Sequence, residues 1–249
     1  MYFSFSINKI YYKAHCTSTS TVAMQLIYKK KNPEGIVVIS DYQTQGRGQR
    51  GNTWLSEPYK NLTFSYILAP YFLKAEESFT LNMITALAIY QALSTLVPKG
   101  LSIKWPNDIY YQHDKLSGIL IENLVAKNKI KYAVVGIGIN VNQDSFQLPS
   151  VTSLSAICGK KINLTQLFKQ MLINIQDQYN HFLNEDRQMI QHKYLHHLYG
   201  LNHPRSFISK GNLFQGCIEG IDPIGRLIVK NLIDNTIEHY HCQEISFVK

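Results

Sequence analysis

Two hydrophobic rhythms run along this chain, one of period two and one of about 3.6, and each change of rhythm marks an element. Residues 7–12 read as a first strand. Ser18, Thr19 and Ser20 then offer hydroxyl N-caps, and apolar positions over 22–28 keep helical spacing, so a helix is predicted to start near 18–20. Asn32-Pro-Glu-Gly35 is a turn. Ile36-Val-Val-Ile39 opens a buried strand that runs to Gln43. The alternation over 62–68 predicts a half-exposed strand, ended by Pro70. Leu81, Ile84, Leu87, Ala88, Ala92 and Leu93 then mark a helix over 79–97, stopped by Pro98 and Gly100.

A strand over 102–110 is broken by Pro106, which lacks an N–H, and the break displays Asn107 and Asp108 beside Lys104 and Trp105. Another strand, 115–122, carries Gly118, where a ligand or backbone can come close. The spacing from Gln112 to Lys115 suits a hairpin turn that returns Lys115 toward Asp108. An apolar strand over 131–140 ends in Gly136, Gly138 and Asn140. Residues 141–160 read as irregular. Asn163-Leu-Thr-Gln166 resembles a capping box for a long helix whose apolar face runs from Leu164 to Phe182. A further helix covers 187–199 and stops at Gly200. Beyond Pro204, four or five short strands divided by Lys210-Gly211, the 222–225 turn and Asp234-Asn235 predict a small β-barrel. A boundary near 201–205 divides the chain into domains 1–202 and 203–249.

Composition narrows the class. With 249 residues, 45% apolar and 17% charged, the chain can bury a full core without staples. Its four cysteines are dispersed with no CxxC spacing, which points to a reducing compartment and away from zinc. Residues 1–12 show no secretory pattern, and the most apolar helix is interrupted by polar residues. A soluble, cytoplasmic protein with no membrane contact is expected. His192, His196 and His197 lack the carboxylate of a metalloprotease helix, and no metal is expected there. The net charge of +8 invites a nucleic-acid reading, but the basic residues are spread out, and Lys29-Lys30-Lys31 suits a helix C-terminus.

Candidate chemistry concentrates between Asp41 and Gly51. Three glycines and two arginines fall within the last six residues of this stretch. Glycine lets the backbone approach a ligand, successive N–H groups cradle anions, and arginine adds a planar charged fork. On its own the stretch fits either an anion-gripping loop or a hairpin with two solvated arginines.

Read in order, Gly46-Arg-Gly-Gln-Arg-Gly51, Lys104-Trp-Pro-Asn-Asp108, Lys115-Leu-Ser-Gly-Ile-Leu-Ile-Glu122 and Gly136-Ile-Gly-Ile-Asn140 resemble the biotin–protein ligases. Ser18-Thr19-Ser20 matches their STN element, and the last 45 or so residues resemble their C-terminal SH3-like domain. The resemblance implies an α+β fold: a mixed sheet backed by helices, of the biotin–lipoate ligase type, with an SH3-like barrel. It implies that biotin and MgATP give biotinyl-5′-AMP, and that the acyl group then passes to a lysine of a biotin carboxyl carrier domain. By position, Ser18, Thr19, Ser20 and Gln43 would hold biotin, with Arg47, Gly48, Gln49 and Gly118 along the biotin and phosphate. Lys115 and Arg47 would be catalytic. Arg50, Trp54, Lys104, Asn107, Asp108 and Asn140 would contact the nucleotide, Asp108 also Mg²⁺. Two departures stand out. Ser20 replaces the usual Asn, and Gln49 replaces an Arg, so weaker retention of biotinyl-AMP is expected. Only 17 residues precede Ser18, so a DNA-binding domain and DNA recognition are not expected. The rivals are a lipoate–protein ligase and a nonenzymatic nucleic-acid-binding protein. A monomer and a homodimer are both compatible with the sequence.

Overall fold

A computed structural model describes residues 4–184 and 187–248; Met1, Tyr2 and Phe3 of the stretch read for a leader lie outside these. Seven strands form the first sheet: β1 (Lys9–Cys16), β2 (Ile36–Gln43), β3 (Leu62–Leu68), β4 (Leu101–Lys104), β5 (Asp108–Tyr111), β6 (Asp114–Ala126) and β7 (Lys129–Ile139). Their order is β1-β2-β3-β7-β6-β5-β4. β1 runs parallel to β2 and every other neighbour is antiparallel, so the sheet is mixed. β1 starts two residues later than predicted and runs to Cys16, because its register follows β2 from Lys9↔Ile36 to Cys16↔Gln43.

Helix α1 (Thr19–Lys29) covers one face, where Ala23 and Ile27 meet Ile36, Val38, Ile67 and Val134. The other face carries α2 (Phe79–Ser94), α4 (Leu164–Asn184) and α5 (Arg187–His196), with the short α3 (Leu154–Cys158) before α4. α2 is buried on nearly all sides, as expected of a helix between sheet and helices. It ends before 97 because Ser94 and Thr95 donate to the carbonyls of Gln91 and Ala92, competing with further helix.

One expectation fails informatively. β3 was predicted half-exposed, yet all seven residues are buried. Its second face lies under α1 and beside the α1 N-terminus, so alternation here separates an apolar face from a polar interior one. The predicted strands 115–122 and 131–140 belong to one longer hairpin, in which β6 runs on to Ala126 and β7 starts at Lys129 and ends at Ile139. Lys127 and Asn128 both take positive φ at its turn, as a tight two-residue connection requires.

The C-terminal strands are β8 (Pro204–Ser209), β9 (Asn212–Ile221), β10 (Leu227–Asn231), β11 (Ile237–Tyr240) and β12 (Ile245–Phe247). They form an antiparallel sheet in the order β11-β10-β9-β8-β12. The five strands fall within the predicted four or five, and β11 and β12 are the sheet's edges, so the strand pairing does not close into the expected barrel among the described residues. This sheet is docked, not tethered. Phe207, Ile218 and Leu227 belong to the same apolar cluster as Ile103 and Trp105. Trp105 Nε1 donates to the Gly225 carbonyl at 2.9 Å, and a Cβ at Gly225 would meet Phe79 Cγ at 2.1 Å. Ahead of this sheet, His197 after α5 stacks on Tyr90 of α2 with ring centroids 3.9 Å apart. No helix among the described residues is long and apolar enough to cross a membrane.

Candidate active site

The polar face of β3 and the N-terminus of α1 build one end of the site. Ser65 is fully buried, and its hydroxyl lies 2.8 Å from Thr19 Oγ1 and 3.1 Å from Ser20 Oγ. Gln43, at the end of β2, accepts from the Thr19 backbone N–H at 2.7 Å and from its hydroxyl at 3.0 Å. Ser18 precedes the helix in extended backbone and is buried, but its side chain makes no capping bond. Hydroxyls here face inward as a cluster instead of only capping. A buried polar group needs partners, and these find one another.

The floor is glycine. Gly118 sits opposite Gly138 across β6 and β7, and Gly136 sits opposite Ser65. A Cβ at Gly136 would stand 2.6 Å from Ser20 Oγ, and one at Gly138 would stand 2.3 Å from Trp54 Cε2. Only bare backbone leaves room there for the hydroxyls and the indole. A tight cavity of about 50 Å³ results, lined among others by Ser18, Thr19, Ser20, Gln43, Arg47, Gly48, Gln49, Asn107 and Gly118.

A second, roomier cavity of about 480 Å³ adjoins it. Trp54 and Lys115 line both. The indole Nε1 is buried and has no partner. Asn140 lines the second cavity together with Gln143, Phe146, Leu148 and Val151. The segment read as irregular is pinned at both sides of this cavity. Gln143 accepts from the Glu57 backbone N–H and donates to Ser145 O, while Lys115 N–H donates to Ser150 O at 2.9 Å. Ser153 caps α3 by accepting from Ala156 N–H.

Lys115 returns to Asp108 as the hairpin spacing predicted, with Nζ 2.7 Å from Oδ1. The Asp108 side chain is only 19% exposed. Burial pushes its carboxyl above the usual carboxylate range, against the opposing pull of Lys115 and then Lys104. Asn107 fixes the turn: its backbone O accepts from Ile119 N–H, and its amide donates to Ile119 O. Arg47 reaches from the glycine loop to an ion pair with Glu122 on β6.

Of the residues expected at the nucleotide, Lys104, Asp108 and Arg50 line neither cavity, and Asn107 lines only the first. Lys104 lines neither cavity; its ammonium sits 4.6 Å from the Tyr110 ring and 4.8 Å from that of Phe247. It is on the edge strand β4, whose side faces the C-terminal sheet. Arg50 is exposed, in a left-handed turn (φ 58°), and also lines neither cavity. Sequence reasoning quoted the Gly136–Asn140 run but gave Gly136 and Gly138 no role, and it missed Ser65, Glu122 and the 143–151 lining. Thr63 and Ser65 alternating with apolar residues along β3 were the available signal for the polar face.

A mixed, helix-backed sheet carrying two cavities that meet at a lysine is the architecture of an acid-activating ligase. The model of the biotin/lipoate A/B protein ligase family matches residues 12–140, and the chain belongs to that family. The bifunctional ligase/repressor BirA of Bacillus spizizenii is 29% identical over 224 residues, covering 88% of this chain and 68% of its own. The biotin–[acetyl-CoA-carboxylase] ligase of Mycobacterium tuberculosis is 31% identical over 125 residues, 49% of this chain and 45% of its own. Among solved structures, the biotin protein ligase of Aquifex aeolicus in complex with biotin and ATP superposes with a TM-score of 0.79. It is 26% identical, covering 97% of this chain and 99% of that one.

Proposed function

We propose that this chain is an ATP-dependent biotin–protein ligase. The biotin carboxylate attacks the α-phosphorus of ATP, giving biotinyl-5′-AMP and pyrophosphate. The ε-amine of a lysine on a biotin carboxyl carrier domain then attacks the acyl carbonyl, and AMP leaves. The observation that carries this reading is the shared wall: Lys115 and Trp54 line both cavities, where an acyl–phosphate bond would have to form. The first step brings a carboxylate against a polyanion, so an ammonium at that junction offsets the repulsion. The second step needs a water-poor site, since water would hydrolyse the mixed anhydride.

The closed end supports biotin over lipoate. A ureido ring has two N–H donors and a carbonyl, and Thr19, Ser20, Ser65 and Gln43 offer both acceptors and donors. A dithiolane has neither and would leave those groups unmet, which a polar site rejects strongly. Phe146, Leu148 and Val151 suit an adenine face, and the unpartnered Trp54 Nε1 awaits an acceptor from a ligand. The assigned roles of Ser18, Gly48, Gly118 and Asn140 rest on their place in these linings. Arg50 and Lys104, which line neither cavity, are left without an assigned nucleotide contact.

Magnesium is expected with ATP. Asp108 already holds Lys115, and no grouping of three or more metal-binding side chains occurs among the described residues. These residues do not form a metal site of the protein's own, so the ion's partners would be chiefly the phosphates. No step is assigned to Asp108 through it. Residues 1–202 would form the catalytic unit and 203–249 a docked C-terminal unit.

The decisive assay supplies ATP, Mg²⁺, labelled biotin or lipoate, and an apo biotin-carrier domain. Label is expected to pass from biotin, and pyrophosphate exchange to depend on biotin. Transfer from lipoate alone would overturn the substrate assignment. Lys115→Ala is expected to cut the rate about 10²- to 10³-fold, as loss of a charge-stabilising donor does; full retained activity would remove Lys115 from its role.

A further inference from the structure

The glycine loop is held to the body of the protein at few points. Before it, Thr44 and Gln45 N–H donate to the carbonyls of Cys16 and Thr17. From Gly46 to Trp54 the backbone bonds are internal: Arg47 bridges Thr53, Gly48 N–H donates to Asn52 O, and Trp54 N–H donates to Gly46 O. Two side chains reach outward. Trp54 lies on Gly118 and Gly138, and Arg47 pairs with Glu122 while its other nitrogen lies 3.5 Å from Thr21 Oγ1. Arg47 lines the first cavity, and its guanidinium lies between Thr21 on α1 and Glu122 on β6, so the pair ties this wall of the cavity to β6.

Glu122 is well placed to hold on. Its side chain is 23% exposed, and its second oxygen, Oε2, is buried without a partner. Losing Arg47 would leave a half-buried carboxylate with no cation, which is costly. Arg47 itself is 45% exposed, so the pair is partly screened and can open.

We propose that Glu122 is a positioning residue: it clasps Arg47 and thereby holds the 46–54 loop closed over bound biotin. It is expected to touch no substrate. The proposal rests on the biotin-activating reading for its kinetic consequence, but the clasp itself is testable without any ligand.

Limited trypsin digestion of the full chain reads it. Arg50 is exposed in the loop, and cleavage after it requires the loop to open. Glu122→Gln and Arg47→Ala are each expected to speed this cleavage about three- to fivefold at low salt, the scale of one partly exposed ion pair. The double variant should be no faster than either single one, since both remove the same contact. Raising salt to about 0.5 M should bring wild type toward the variants. In biotin-dependent pyrophosphate exchange, Glu122→Gln should raise KM for biotin by a similar factor and leave kcat within about twofold. Unchanged cleavage in Glu122→Gln, or additive effects in the double variant, would overturn the clasp. So would a fall in kcat with KM constant. A lowered melting temperature with cleavage at many sites would mark Glu122 as merely structural. If wild type shows no exchange with biotin, the functional reading fails, and the cleavage series still decides the clasp.

Discussion

Gly138→Ala tests the floor of the site with one methyl group. Its Cβ would lie 2.3 Å from Trp54 Cε2, 2.6 Å from Cζ2 and 2.7 Å from Nε1. Ordinary contact begins near 3.4 Å, so the indole must retreat by about 1 Å, and β7, paired on both sides, cannot yield in its place. If the ring stays, the overpacked contact costs about 1–3 kcal/mol. If it lifts off, a half-buried indole exposes about 100 Å² of apolar surface, which costs about 2.5 kcal/mol. Both routes converge on about 2 kcal/mol, or roughly thirtyfold in an equilibrium constant. The assay is indole emission in a Trp105→Phe background, since Trp54 and Trp105 are the two tryptophans. Emission should shift to the red, and KM for biotin should rise about ten- to thirtyfold, with the far-ultraviolet dichroism unchanged. Gly136→Ala is the control, because its Cβ meets Ser20 Oγ, which can rotate at the loss of about 1 kcal/mol of hydrogen bonding. Identical emission in wild type and Gly138→Ala would refute the picture of the indole seated on bare backbone.

Gln49→Arg restores a cation beside the first cavity and is expected to slow spontaneous release of labelled biotinyl-AMP about tenfold, the scale of one charge-assisted hydrogen bond; an unchanged release rate refutes a retention role for position 49. Gly225→Ala places a Cβ 2.1 Å from Phe79 Cγ at a φ of +89°, and displacing the turn strips Trp105 Nε1 of its acceptor. A stability loss of about 3 kcal/mol or more is expected in urea unfolding, with Trp105 emission shifting red; coincident wild-type and variant curves would refute the docking.

Much of this architecture was legible because its signals are local. Pro106 had to break its strand, and the short Gln112–Lys115 turn had to return a lysine to Asp108. What escaped depends on covering layers. Alternation along β3 announces two unlike faces but not what lies over each, so Ser65 read as solvated when it is the innermost hydroxyl of the site. Lys104 illustrates the opposite case: Asn107, three residues on, lines the first cavity, while the pleat of β4 turns Lys104 to Tyr110 and Phe247. The C-terminal strands were predicted from turn residues. Closure of a barrel depends on which edges meet, and turn chemistry does not encode that.

The two cations nearest the cavities are not standing charges. Lys115 faces Asp108, and Arg47 faces Glu122. In a loop that read as a bare anion cradle, the cation that lines the cavity is, once folded, already matched by a carboxylate. Stray phosphate or chloride must displace a carboxylate to gain either cation, and a single weak contact does not repay that. A molecule that presents a carboxylate at one cavity and phosphates at the other can recruit both cations together. Balance of this kind makes a binding site quiet toward the commonest cellular anions and responsive to the pair of ligands it must join.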